Sequence, residues 1–199
     1  MNVFVLDTNP MRCAQYHCDK HVVKMLLEYT QLMWTYLINK YGDKPIEEAN
    51  SFGVQAYKPT HINHPCNVWL REDQHNYLWL YYLWLSLHEE YELRYDKTHA
   101  TFKFYEVFTK YAEHYRNIWN INLPADETEL EPNEAKLILD LTTGEFIKNM
   151  TPFKLAMPDE YKCGDAVESY RRYYRGAKSY FAKWKTEVPD WFNKTEEVV

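Results

Sequence analysis

The sequence predicts a mainly α, compact, single-domain fold, and three observations carry that expectation. Apolar side chains recur at helical spacing through Val22, Met25, Leu26, Tyr29, Leu32, Met33, Tyr36 and Leu37. The segment LWLYYLWLSL is apolar nearly all round, as expected of a central helix. Only 5 glycines occur in 199 residues, too few for a loop-rich sandwich or a Gly-rich phosphate-binding fold. A hydrophobic content of 46% with 26% charged residues is ordinary globular usage and excludes intrinsic disorder.

In chain order, Asn2–Leu6 is a short apolar run that reads as a strand or a packed arm. A first helix is predicted from Asn9-Pro10, a capping residue followed by proline, through to Gly42 as a stop. Residues 43–63 read as a loop rich in turn residues. A second long helix is predicted from His64-Pro65 to about Arg94, and a third from Thr101 to Trp119. Residues 124–134 carry five acids and no base and read as an exposed loop, while Lys136–Met150 is a short helix or a hairpin. A last helix is expected from Gly164 to Lys185, so that one helical domain spans 1–199.

The longest apolar stretch, Tyr77 to Leu87, has 11 residues, against roughly 20 needed to cross a bilayer. The start MNVFVLD has neither a basic n-region nor a long apolar run. A cytoplasmic protein without membrane partners is therefore expected, its four cysteines reduced. A net charge of -6 weighs against tight non-specific nucleic-acid binding, yet the charge is unevenly spread. Aromatic content is high at 17%, with 18 Tyr and 7 Trp, which suits either core packing or base stacking.

Four constellations could carry chemistry. His17, His21, Lys24 and Glu28 fall at i, i+4, i+7 and i+11, one stripe of the predicted first helix. It is either an acid/base site or an exposed polar face. Cys13, His17 and His21, with His61, His64 and Cys66, are the residue types that hold zinc or iron, but no CxxC pair or HExxH supports a metal; scattered core residues are the alternative. Between Tyr161 and Thr186, seven bases (Lys162, Arg171, Arg172, Arg175, Lys178, Lys183 and Lys185) are interleaved with Tyr170, Tyr173, Tyr174 and Tyr180. That composition suits a phosphate backbone with stacked bases, or a solvated helix whose tyrosines face the core. Arg71, Asp73, Asn76 and Tyr77 form a polar cluster that could point into a cleft.

These residues resemble, in order along the chain, the pyrimidine-dimer DNA glycosylases, the family typified by the T-even phage endonuclease V. The blocks are Asp19-Lys20-His21 followed seven residues on by Glu28, the helix from His64 to Tyr95, MPDEYKCGD (Met157–Asp165) and PDWF (Pro189–Phe192). The resemblance implies a helical DNA-repair fold with no cofactor and no metal, acting on damaged duplex DNA as a glycosylase and AP lyase. An N-terminal α-amine would attack C1′ and form an imine, and Glu28 would assist base loss and β-elimination. His21 would bind DNA or orient the site. Met1 or, in its place, Lys20 or Lys24 would supply the amine; DNA contacts would come from Lys20, Arg171, Arg172, Arg175, Lys178, Tyr173 and Trp191. The family carries a small residue behind the initiator methionine and arginines beside the glutamate, where this chain has Asn2, Leu27 and Gln31. A nucleotide- or base-modifying enzyme on the same scaffold, a His/Cys metalloprotein and a non-catalytic interaction protein are the alternatives.

Overall fold

The computed structural model describes residues 1–118 and 149–193. The predicted acidic loop at 124–134 and most of Lys136–Met150 lie outside the described residues. Helices α1 (Pro10–Tyr16), α2 (Asp19–Tyr41), α3 (Lys44–Ser51), α4 (Pro65–Glu72), α5 (Gln74–Tyr95), α6 (Tyr105–Ile118) and α7 (Ala166–Tyr173) make up the frame. A 3-10 turn, Ala100–Phe104, leads into α6, and a π-turn, Tyr174–Lys178, extends α7. Among the described residues there is no strand, so Asn2–Leu6 is an extended arm. No helix among them is long and apolar enough to cross a membrane.

Helix α5 is the axis of the molecule, packed against α1, α2, α4 and α6. Its LWLYYLWLSL segment is buried at Leu78, Trp79, Leu80, Tyr81, Leu83, Trp84 and Leu87, as its all-round apolar character requires. The predicted face of α2 is buried at every one of its eight positions. Gly42, with φ 64, stops α2 in a backbone region that favours glycine. Inside this core the Trp84 indole N–H donates to Thr30 Oγ1 at 2.9 Å, and Tyr77 stacks on Tyr36 at 4.9 Å between ring centres.

Four predicted helix boundaries are corrected. The first helix is two, because His17 and Cys18 are extended (ψ 130 and 158) and α2 restarts at Asp19. No proline or glycine marks this break. It is held from a distance by Arg94, whose guanidinium donates to Gln15 O at 3.0 Å and to His17 O at 2.8 Å. The second helix is likewise split at Asp73, whose carboxylate accepts the His75 N–H at 2.8 Å and caps α5. The supposed loop after Gly42 contains α3, with Pro45 in its first turn. The last helix ends at the π-turn rather than at Lys185. There the Tyr161 ring crowds the place of a Cβ on Gly176, so a larger residue requires that ring to move aside.

Candidate active site

The arm decides where the chain begins in space. Val3, Phe4, Val5 and Leu6 are all buried. Its backbone is paired with side chains in place of a neighbouring strand. The Phe4 N–H donates to the Tyr29 hydroxyl at 3.2 Å, the Cys13 thiol donates to Phe4 O at 3.2 Å, and Arg171 Nε donates to Leu6 O at 2.9 Å. The Phe4 ring stacks on His21 at 4.5 Å and meets Tyr170, Tyr173 and Tyr174 of the C-terminal segment. An arm so fixed delivers the first residue to a defined point.

That point is Glu28. The α-amine of Met1 lies 3.8 Å from Glu28 Oε2, and Lys24 Nζ, one turn back on α2, lies 3.2 Å from Oε1. The Met1 side chain is 3% exposed and that of Glu28 15% exposed, so carboxylate and amine meet in a sheltered notch with Lys24 at its open edge. His64 stands close by as the cap of α4, its Nδ1 accepting the Cys66 N–H at 3.2 Å. Burial, then the charge of the α-amine, then His61, keep this imidazole below its ordinary pKa, with Glu28 pulling the other way. With Nδ1 an acceptor, the neutral ring has its proton on Nε2. The arrangement joins a primary amine, a carboxylate able to take a proton or face a cation, and a neutral imidazole, groups that can serve acid–base or nucleophilic chemistry.

Met1, Lys24 and Glu28, three of the four residues expected to be catalytic, are therefore together. His21 is not with them. It sits two turns from Glu28, about 10 Å along α2, with Nδ1 hydrogen-bonded to the Tyr174 hydroxyl. His21 is held down at about 2 by burial, then by His17, Lys178, Lys24 and Lys20. The predicted stripe also loses His17, which belongs to the turn after α1. Its ring donates from Nδ1 to Cys13 O at 2.7 Å, and Nε2 accepts from the Tyr29 hydroxyl at 3.1 Å. Both imidazoles are neutral core groups.

Burial holds His17 at about 4, against an ordinary 6.5. The sign follows from linkage: the unfolded chain takes up this proton before the folded one, so stability is full above pH 6.5 and is lost as pH falls toward 4. Urea midpoints are accordingly expected to fall between pH 7.5 and 4.5. In His17→Gln, which cannot take up the proton, that fall should be shallower; equal slopes in the two proteins would remove His17 from the account.

Among the described residues, no three His, Cys, Asp or Glu side chains converge on a metal-binding point. Cys13, His17 and His21 are committed to the core, and burial raises the Cys13 and Cys66 thiols to about 12 and about 11. Asn76 clamps the chain internally through Trp69 O at 2.7 Å and Thr151 Oγ1 at 2.7 Å, and Tyr77 is buried. Of that polar cluster only Arg71 and Asp73 line a groove, of about 340 Å³, with Tyr36, Lys40 and Glu72.

The expected DNA contacts separate into two groups. Arg171 is turned inward to Leu6 O and Asp7, between the Tyr16 and Trp191 rings. Arg175 reaches Glu168 at 2.7 Å and Trp191 O at 3.2 Å, and Arg172 lies 3.4 Å from Glu168. Trp191, expected among the DNA contacts, is only 6% exposed and its ring packs on Tyr16, Tyr174 and Phe192, so little of it is open to a DNA strand. Tyr173 is half-buried against Phe4 and Tyr161, with Lys178 over its ring at 4.5 Å. Lys20 and Lys24 are exposed on α2, and together with Lys178 they set a positive field around His21. Sequence reasoning did not place Asn2 at the site, and it offered His64 only as a candidate metal ligand. His64 was legible as a cap before Pro65, but its place beside the amine depends on contacts distant in sequence.

Compared with protein-family models, with curated proteins and with solved structures, the chain matches none of them.

Proposed function

We propose that the chain is a DNA glycosylase and AP lyase for damaged or modified pyrimidines, working through an imine on the α-amine of Met1. The observation that supports it is the 3.8 Å approach of that amine to Glu28. The neutral amine adds to C1′ of the damaged nucleotide as the glycosidic bond breaks and the base departs with a proton. Opening of the sugar ring, with proton transfer to its oxygen, leaves a protonated imine between C1′ and the α-nitrogen. Glu28 first faces the positive charge developing at C1′, then accepts a proton from C2′ as the 3′ C–O bond breaks and the phosphate leaves. Water hydrolyses the imine and restores the amine. Lys20, Lys24 and Lys178 provide the positive field for the phosphate backbone in this reading.

Borohydride reduction tests it on abasic, ultraviolet-irradiated and intact duplexes. A covalent protein–DNA band is expected with the first two, mapping by peptide mass to Met1. Absence of a band from folded protein on every substrate would overturn the reading. A second reading, a nucleotide- or base-modifying enzyme with the same amine and carboxylate, is favoured by the inward-turned Arg171 and Arg175 and the net charge of -6. It predicts trapping on a free nucleotide-derived aldehyde and none on duplex.

A further inference from the structure

We infer that Asn2 is a positioning residue for the imine chemistry proposed above, on which this inference rests. Its carboxamide fixes the backbone so that the amine one residue away faces Glu28. Three separate parts of the fold hold that one side chain. The Tyr170 hydroxyl of α7 lies 2.9 Å from Oδ1, the Cys66 thiol of α4 donates to Oδ1 at 3.7 Å, and Nδ2 donates to Ala156 O at 2.8 Å. Both ends of the amide are therefore used, one accepting and one donating. Neither leucine nor aspartate could satisfy the same set.

The consequence for the amine is geometric. Peptide planarity leaves only two soft torsions per residue. With Asn2 tied at its side chain, Val3 to Leu6 buried and the Met1 side chain 3% exposed, little rotational freedom remains to the α-nitrogen. A nucleophile held in this way has given up its entropy on folding instead of on reaction. The single Tyr170 hydroxyl proton is shared between Asn2 Oδ1 and Lys154 O, which lies at 2.7 Å, so the clamp is anchored in the segment before α7 as well.

The test compares wild type, Asn2→Leu and Tyr170→Phe, each shown by intact mass to begin at Met1, on an abasic-site duplex with borohydride. At saturating duplex, Asn2→Leu is expected to lower the single-turnover trapping rate by about tenfold or more. The duplex Kd should be unchanged, and part of the cross-link should move from Met1 to Lys20 or Lys24. Tyr170→Phe should move the rate in the same direction by a smaller factor. A purely structural role would change melting temperature without changing the saturating rate or the attachment site. Wild-type rates with Met1 as the sole attachment point in both variants would overturn the positioning role alone, and if Asn2→Leu does not fold, a wild-type rate in Tyr170→Phe does so. A wild-type protein that gives no band removes the reaction and the positioning role together.

Discussion

Glu28→Gln is expected to lower turnover on abasic duplex by roughly 10²- to 10⁴-fold, the range for removing a positioned acid–base group. The substitution keeps shape and volume but loses both the charge that, in the proposed reaction, faces the imine cation and the basicity that would take the C2′ proton. The fold should hardly register it. Lys24, the nearer ion-pair partner, is 61% exposed on its side chain, and surface pairs of that kind contribute at most about 1 kcal/mol. The measurement is single-turnover β-elimination beside a thermal melt. Wild-type turnover in a folded Glu28→Gln protein would remove Glu28 from the mechanism.

Arg94→Met is expected to be the most damaging single substitution for stability, at about 3–5 kcal/mol. The Arg94 side chain is 0% exposed and gives Glu90 two hydrogen bonds, of 2.9 and 2.6 Å. It also reaches Asp19 at 3.1 Å and the carbonyls of His17 and Gln15. Methionine fills much of the volume but leaves the Glu90 carboxylate and two main-chain oxygens without a cation. Because domains are typically stable by only 5–15 kcal/mol, such a loss is a large share of the whole. Glu90→Met in the same chain should recover part of it, since the stranded charge is then gone. Denaturant midpoints read both effects, and an unchanged midpoint in Arg94→Met would show that the junction between α1 and α2 does not depend on this cluster.

Periodicity made α2 and α5 legible because each buries a wide apolar surface, and Asn9-Pro10, Gly42 and His64-Pro65 marked real helix ends. The break at His17-Cys18 was not legible, since the guanidinium that holds it comes from Arg94, 77 residues away from His17. Helix α3 is eight residues long, too short for a clear period among turn-forming residues. At the site, the separation of Lys24 and Glu28 placed both on one face of a helix, and that much was readable. The side chains of Arg171 and Arg175 were not: a basic run has the same appearance whether its guanidiniums meet phosphates or carbonyls of their own chain. His21 followed Asp19-Lys20 as the motif expected, yet Phe4 and Tyr174, from opposite ends of the chain, cover its ring.

Asn2 and Tyr170 are separated by 168 positions and meet across the fold beside Met1 and Glu28. Synthesis makes the amine and the carboxylate long before the hydroxyl that steadies Asn2. On the reading proposed above, a growing chain therefore carries both groups without their clamp until α7 has been made, and a truncation before α7 should silence an amine and a glutamate that it leaves chemically intact.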